Sequence, residues 1–258
     1  MNDLNIIEIK KFVDKVVDKS EDIICKHYRN LNNIETKDDE SPVTIADREA
    51  ETSIREFINK AYPEHGIIGE EFGEENINAR YKWIIDPIDG TLSFMIGRPI
   101  FGTLLALLDN GKPILSVINQ PVNKERWIAS NGEGCTLNGK KVRVKNCKDL
   151  SQATIATTGS NYFTEEGLQK FNRLSKSAKH TIYGGDCYLY ALVASGFLDL
   201  AIDSCLKPHD FMPLIPIVKE AGGVITDWTG NELSEKSDGN VIAAGSKTAH
   251  EQAIKILS

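Results

Sequence analysis

Several features that would assign this chain to a specialised class are missing from its sequence. It has five cysteines in 258 residues, and no two of them form a C-x-x-C pair, which argues against a zinc site or a disulfide framework. We therefore expect buried free thiols. No apolar run approaches the ~20 residues of a membrane-spanning helix, and the first residues lack the basic start and apolar core of a signal peptide. These absences predict a soluble, cytoplasmic protein.

The sequence also has fewer basic than acidic residues, with 30 lysines and arginines against 37 aspartates and glutamates. The formal net charge is -7 and no block of lysine or arginine is present, so the composition argues against nucleic-acid or membrane partners. The sequence has neither a P-loop nor a G-x-S-x-G nucleophile motif. The overall composition, with 41% hydrophobic and 26% charged residues, is that of an ordinary globular protein. That is enough apolar material for a sizeable core in one large domain or two tightly packed ones.

The hydrophobic pattern predicts helices alternating with strands. Apolar residues three and four apart predict two early helices, on the faces Ile6, Ile9, Val13, Val16 and Val17, and Ala50, Ile54, Phe57, Ile58 and Ala61. The polar stretch 33–41 between them predicts a loop. Residues from 102 onward predict an antiparallel meander with glycine turns, and beyond about residue 150 strands and helices alternate again.

This order of elements predicts an α/β fold with two halves of different style. We expect residues 1–145 to form an α+β half and residues 146–258 an α/β half. Because no linker separates the two halves, we expect them to pack as one body.

A short apolar run ends in two acids within the string W-I-I-D-P-I-D-G-T, residues 83–91. Asp86 and Asp89 are so close that they must share protons or bind a divalent cation. Mg²⁺ prefers a few carboxylates with waters and a substrate phosphate, and the Ile88 carbonyl offers a further oxygen. Gly90 permits close backbone approach, and a helix beginning there would offer free N–H groups to phosphate. The alternative is a loop whose acids form ordinary turns and caps.

The longer string W-I-I-D-P-I-D-G-T-L-S-F resembles the signature of the inositol-monophosphatase-like, lithium-sensitive phosphatases. The resemblance covers nearly the whole chain, since G-E-E at 69–71 and the V-T-I-A-D that ends in Asp47 also match. The segment from H-D-F-M-P to A-G-G-V-I-T-D-W, which contains Asp210, is similar to the second family signature. The resemblance implies a layered αβαβα sandwich and a homodimer.

The resemblance also implies roles for individual residues. The implied ligands of two or three Mg²⁺ ions are Glu70, Asp86, the Ile88 carbonyl, Asp89 and Asp210. Asp47 and Thr91 would orient and activate the attacking water, and the amides of Gly90 and Thr91 would hold the phosphate. The chemistry agrees with this, because unaided phosphate monoesters hydrolyse extremely slowly and metal ions neutralise the phosphate and activate water. A threonine hydroxyl beside a carboxylate can pass a proton on.

The second signature departs from most of the family and resembles the histidinol-phosphatase branch, as do K-P-H-D-F-M-P and Y-G-G-D-C-Y-L-Y-A-L. Asp186 stands where inositol phosphatases usually carry a small residue, and Asp203 aligns with an acid that meets the leaving group. Histidinol phosphate carries a primary ammonium and an imidazole, which two acids would suit. Alternatively, Asp186 caps a helix and Asp203 is a solvated turn acid.

These features predict a Mg²⁺-dependent phosphatase that acts on a small phosphate monoester, L-histidinol phosphate. Inositol-1-monophosphatase is the second choice. A 3′(2′),5′-bisphosphate nucleotidase is the third, because the sequence shows no obvious basic site for a second phosphate. A non-catalytic divalent-ion or phosphate-binding module is the alternative from a different class. Such a module would be expected to lack one of the acids or the threonine, and none of them is missing here.

Overall fold

The structure is a computed structural model that describes residues 4–30, 34–36 and 42–257. The helices are α1 (Ile6–His27), α2 (Ile45–Ala61), α3 (Thr91–Met95), α4 (Glu165–Ser177), α5 (Cys187–Ala194), α6 (Pro208–Phe211), α7 (Leu214–Glu220) and α8 (Lys247–Leu257), with 3₁₀ turns at Leu150–Gln152 and Ser160–Tyr162. The strands are β1 (Ile34–Thr36), β2 (Pro42–Thr44), β3 (Gly66–Gly69), β4 (Gly73–Glu75), β5 (Tyr81–Asp89), β6 (Gly102–Asp109), β7 (Lys112–Gln120), β8 (Glu125–Ser130), β9 (Gly134–Leu137), β10 (Lys140–Lys141), β11 (Thr154–Thr157), β12 (His180–Tyr183), β13 (Leu200–Asp203), β14 (Val224–Thr226) and β15 (Val241–Ala244).

Two large sheets organise these elements, and β1 pairs with β2 separately. The first sheet has the order β10-β9-β8-β7-β6-β5-β3-β4, in which β5 to β10 form an antiparallel meander and β3 lies parallel to β5. The second sheet has the order β12-β11-β13-β15-β14. There β11 runs parallel to both neighbours and β15 antiparallel to both of its own. The predicted meander and the later alternation of strands and helices are therefore confirmed.

The helices and sheets stack in five layers. Helices α1 and α2 cover one face of the first sheet, where Val13 and Ile54 join a cluster with Trp83. Helices α5 and α7 fill the space between the two sheets, and α4 and α8 cover the outer face of the second. Both faces of the first sheet are buried at its central strands, which explains why β5 to β7 are continuous apolar runs rather than alternating ones. The predicted αβαβα sandwich is confirmed, while the division near residue 145 stays a prediction.

Side-chain hydrogen bonds define where α1 and α2 begin. The Asn5 side chain accepts hydrogen bonds from the N–H groups of Ile7 and Glu8, and α2 begins with a capping box between Thr44 and Asp47. Such caps satisfy N–H groups that have no partner within the helix. The capping box also places the Asp47 carboxylate at the N-terminal end of α2, near Glu70.

Some expectations from the sequence were wrong. In α2, Phe57 and Ala61 are exposed, so the buried stripe is narrower than its periodicity predicted. Part of the predicted loop at 33–41 is strand β1, and the rest lies outside the described residues. Strand β12 was not predicted, because its exposed side chains give no buried pattern.

The five cysteines are free, but the expectation that they are buried is wrong for Cys25 and Cys205, which are exposed. The other three thiols are buried, as expected. Among the helices of the described residues, none combines the length and apolar content that a bilayer crossing requires.

Candidate active site

The predicted acids converge where β3, β5 and α6 end or begin. In a regular strand, residues three apart point to opposite faces, yet Asp86 and Asp89 share one side. The cause is a shift of register on β5: Asp86 pairs with Leu104, but Asp89 pairs with Gly102, so β5 carries one extra residue. Such a bulge re-aims the side chains around it. Glu70 directly follows β3, which is the parallel neighbour of β5.

Three carboxylates form a cluster that fits a divalent cation. One oxygen from each of Asp86, Asp89 and Asp210 lies within 4.8 Å of the other two. The Asp86 carboxyl is also within hydrogen-bonding reach of Glu70 and Asp210, so protons must be shared there when no cation is bound. The Asp86 Oδ1 atom is buried and has no hydrogen-bond partner in the part of the chain that the structure describes. A buried oxygen of this kind is costly unless something binds it, and an all-carboxylate set suits Mg²⁺.

Electrostatics support the same conclusion. Burial raises the pKa of both Asp86 and Asp89 well above that of an ordinary aspartate, and the neighbouring carboxylates raise both pKa values further. Burial also raises the pKa of Asp210, although His209 opposes this because its Nε2 lies 3.4 Å from Asp210 Oδ1. These groups cannot all be ionised at neutral pH without a compensating positive charge.

Gly90 and Thr91 stand beside these acids at the start of α3. Gly90 has φ 84°, and an added Cβ would lie 2.8 Å from the Asp186 carboxyl carbon, so both conformation and space require glycine. Within the described part of the chain, the N–H groups of Gly90 and Thr91 have no hydrogen-bond acceptor. The Thr91 hydroxyl donates to the Ile88 carbonyl at 3.1 Å. That carbonyl keeps a second lone pair for another partner.

Asp47 lies near Glu70 but contacts Thr44 rather than Thr91. Its Oδ2 accepts hydrogen bonds from the Thr44 N–H at 2.8 Å and the Thr44 hydroxyl at 2.5 Å. Its Oδ1 is buried without a partner among the described residues. Burial, with a smaller effect from Glu70, raises the pKa of Asp47 to about 6. The direct pairing of Asp47 with Thr91 is not seen, and their joint activation of water stays a prediction.

Asp186 is held in a strained conformation beside Gly90. It precedes α5 with φ 48°, which is uncommon for a residue other than glycine. It occupies the N-cap position, but its side chain makes no capping hydrogen bond. Instead, the Ser93 hydroxyl donates to Asp186 Oδ2 at 2.8 Å. The N–H of Cys187, the next residue, donates to Asp89 Oδ2 at 2.5 Å, so this turn also orients an acid of the cluster.

Asp203 ends β13 and is buried, so it is not a solvated turn acid. Its Oδ1 accepts from the Thr157 hydroxyl at 2.9 Å and the Thr158 N–H at 2.7 Å, and its Oδ2 accepts from the Tyr190 hydroxyl at 3.0 Å. Burial raises the pKa of Asp203 to about 6 although these three bonds oppose the shift. Its carboxylate is anchored by the protein, and a contact with substrate stays a prediction.

A cavity of about 250 Å³ opens beside the cluster and collects most of the predicted residues. Its walls include Glu70, Asp89, Gly90, Thr91, Asp186, Asp203 and Asp210, together with Tyr162 and Tyr190. Sequence reasoning missed Ser93, although it stands in the quoted T-L-S-F. It also missed Tyr190, although this residue stands in the quoted Y-G-G-D-C-Y-L-Y-A-L, and Tyr162, which no motif singles out.

Asp47 and Asp203 should make the stability of the Mg²⁺-free protein depend on pH. Their pKa of about 6 in the folded state exceeds the unfolded value of about 3.9. The stability that they contribute is thus present below pH 4 and is lost as the pH rises through 6. In Asp203→Asn, which can still accept from Thr157 and Thr158, denaturant titrations should show the fall between pH 5 and 7 reduced by about 1 kcal/mol. An unchanged slope would contradict the assignment.

Comparisons with known proteins agree with this geometry. The chain matches the model of the inositol monophosphatase family over residues 7–258. It is 46% identical over 270 residues to the bifunctional phosphatase IMPL2, chloroplastic, of Arabidopsis thaliana, covering 99% of this chain and 78% of the relative. It is 39% identical over 209 residues to a histidinol-phosphatase of Chlorobaculum parvum, covering 81% of each chain.

A solved structure extends the comparison to the fold. An inositol monophosphatase from Zymomonas mobilis superimposes with a TM-score of 0.90 and 38% identity, over 99% of both chains. Family members are typically dependent on Mg²⁺, which is consistent with a cluster of acids around an unpartnered buried oxygen. The chain is therefore a phosphatase of the inositol monophosphatase family.

Proposed function

We propose that this protein hydrolyses L-histidinol phosphate to L-histidinol and phosphate in a Mg²⁺-dependent reaction. The observation that carries the proposal is the placement of Asp186: a carboxylate packed against Gly90, directed by Ser93 and lining the cavity beside the acid cluster. The histidinol-phosphatases among the chain's relatives support the same substrate.

Different residues around the cluster would bind Mg²⁺, bind the phosphate and accept a proton during hydrolysis. The side chains that would hold Mg²⁺ are Glu70, Asp86, Asp89 and Asp210. When bound, Mg²⁺ neutralises phosphate charge and makes water more acidic. The N–H groups of Gly90 and Thr91 would donate hydrogen bonds to the phosphate oxygens. The unpartnered Oδ1 of Asp47 can accept a proton from the attacking water, and its pKa of about 6 suits a general base near neutral pH.

Asp186 explains why a cationic leaving group would be preferred. The ammonium of histidinol phosphate can pair with the carboxylate and replace the water that the substrate displaces. A neutral polyol would remove water from the same carboxylate, which is partly buried and already lies near Arg98, without supplying a charge of its own. Inositol 1-phosphate is the second candidate, favoured by the likeness to the Zymomonas mobilis enzyme.

The proposal is tested by steady-state kinetics on purified protein with Mg²⁺. The substrates are L-histidinol phosphate, inositol 1-phosphate and adenosine 3′,5′-bisphosphate. We expect kcat/KM to be at least about tenfold higher for histidinol phosphate, which corresponds to roughly 1.4 kcal/mol of selectivity. A clear preference for either of the other two compounds would remove histidinol phosphate as the substrate.

Ser93→Ala should weaken binding of the cationic substrate. The substitution removes the hydrogen bond from Ser93 to the Asp186 carboxylate, and a hydrogen bond to a charged group contributes about 1.5–3 kcal/mol. Only part of this free energy is expected to appear as weaker substrate binding. We therefore expect the KM for histidinol phosphate to rise about tenfold with little change in kcat. Ser20→Ala is the matched control, since Ser20 is a buried serine whose hydroxyl has no hydrogen-bond partner among the described residues. Equal effects of the two substitutions would contradict the orienting role of Ser93.

Two further expectations rest on the sequence and the family resemblance alone. We propose that the protein is a homodimer and that it works in the cytoplasm without a nucleic-acid or membrane partner. Light scattering coupled to size-exclusion chromatography should give the mass of two chains. The mass of a single chain would contradict the dimer.

A further inference from the structure

Tyr162 is a large aromatic residue exposed at the wall of the cavity. It ends the 3₁₀ turn Ser160–Tyr162, and 42% of its surface is exposed. Aromatic side chains normally bury most of their area. Nothing in the reaction described above uses this ring, although it lines the same cavity as Asp186 and Asp203.

Gly159 leaves space for the ring of Tyr162. A Cβ added at Gly159 would lie 3.3 Å from both the Cδ2 and Cε2 atoms of that ring and 2.6 Å from Asn161 Oδ1. Gly159 has φ -176°, an extended conformation that any residue adopts, so space rather than conformation explains the glycine. A side chain at residue 159 would therefore crowd one edge of the Tyr162 ring, and Tyr162 also lines the cavity.

The ring shares the cavity with negative charge. Burial raises the pKa of the Tyr162 phenol, and Asp186, Asp89 and Asp203 raise it further, which reflects their proximity. Of the described residues that line the cavity, none is lysine, arginine or histidine. An aromatic face amid carboxylates attracts flat, positively charged groups by stacking and by cation–π interaction.

We propose that Tyr162 is a specificity-determining residue whose ring stacks on the flat aromatic ring of the leaving group, the imidazole of histidinol phosphate. This inference rests on the proposed function and deepens it. The acid cluster would take the phosphate end of the substrate, Asp186 the ammonium and Tyr162 the ring. Carboxylates alone would accept any amine of suitable size, so the aromatic wall supplies the selection for a ringed substrate.

The test compares two phosphate monoesters that both carry an ammonium group, of which only one carries a ring. These are L-histidinol phosphate and ethanolamine phosphate. In Tyr162→Leu, kcat/KM for histidinol phosphate should fall about tenfold, as expected from the loss of one stacking contact. The value for ethanolamine phosphate should change less than about twofold. Tyr162→Phe should behave like the wild type, because it keeps the ring.

Phe197→Leu is the matched control, since Phe197 is an aromatic residue 73% exposed that does not line the cavity. It should leave both substrates unchanged. Equal losses on both substrates in Tyr162→Leu would show a packing role, and a loss in Tyr162→Phe would show a role for the hydroxyl. Either result, or no change in Tyr162→Leu, overturns the inference.

Failure of the proposed function would be seen separately. It would appear as a wild-type preference for inositol 1-phosphate over histidinol phosphate. The ratio of kcat/KM for histidinol phosphate to that for ethanolamine phosphate would still measure the contribution of the Tyr162 ring.

Discussion

Asp86→Asn is expected to lower kcat by at least about 10³-fold, because the cation contributes several kcal/mol to stabilising the transition state. Asparagine keeps the shape of the side chain but removes the charge at the centre of the cluster. Asp86 is the acid that reaches both Glu70 and Asp210. Phosphate release at saturating substrate and Mg²⁺, together with Mg²⁺ binding by calorimetry, measures the effect.

The same substitution should stabilise the protein when Mg²⁺ is absent. In the wild type, burial raises the pKa of Asp86, and repulsion from Glu70, Asp89 and Asp210 raises it further. Removing one acid relieves that repulsion, so the unfolding temperature of Asp86→Asn should exceed that of the wild type in chelator. Active sites often trade stability for function in this way.

A surface acid supplies the control for this experiment. Asp109 pairs with Arg80 at 2.7 and 2.8 Å and does not line the cavity. Because exposed ion pairs contribute little to stability, Asp109→Asn should leave turnover unchanged and the unfolding temperature nearly so. Wild-type turnover in Asp86→Asn would contradict the catalytic assignment of the cluster.

Asp186→Asn is expected to change substrate preference rather than the chemical step. Asparagine tolerates the positive φ at this position and can still accept the hydrogen bond from Ser93. The loss of one partner from a buried charge pair costs about 2–5 kcal/mol. We expect kcat/KM for histidinol phosphate to fall by about 10²-fold or more. The value for inositol 1-phosphate should stay constant or rise, since a neutral polyol no longer desolvates a carboxylate.

Asp203→Asn provides the comparison for Asp186. The Asp203 carboxylate already accepts three hydrogen bonds from the protein, so we expect a smaller change in substrate preference there. An equal loss on both substrates in Asp186→Asn would place that residue in the general framework of the site. It would then have no role in choosing the leaving group.

The acids of the cluster could be predicted from sequence because their spacing and residue types are unusual. Asp86 and Asp89 stand within one short string, and the family resemblance connected them with the distant Asp210. What brings the first two to one side of the sheet could not be predicted. The register shift on β5 depends on pairing with β6, where Gly102 opposes Asp89.

The surroundings of Asp186 could not be predicted from the sequence either, because they depend on contacts between distant parts of the chain. Its contact with Ser93 joins residues 93 positions apart, and the fit of Gly90 beneath it depends on the packing of α3 against the turn before α5. The joint activation of water by Asp47 and Thr91 stays a prediction, but the sequence did not indicate which residue Asp47 contacts directly. A local capping box offers Asp47 a nearer partner in Thr44, and local geometry of this kind competes with long-range contacts.

A crystal structure obtained with saturating Mg²⁺ and inorganic phosphate tests the central claim most directly. The account predicts at least one Mg²⁺ about 2.1 Å from carboxylate oxygens of the cluster, with Asp86, Asp89 and Asp210 among its ligands. It also predicts a phosphate oxygen on the amides of Gly90 and Thr91. Acids that point apart with no ion among them would contradict the account.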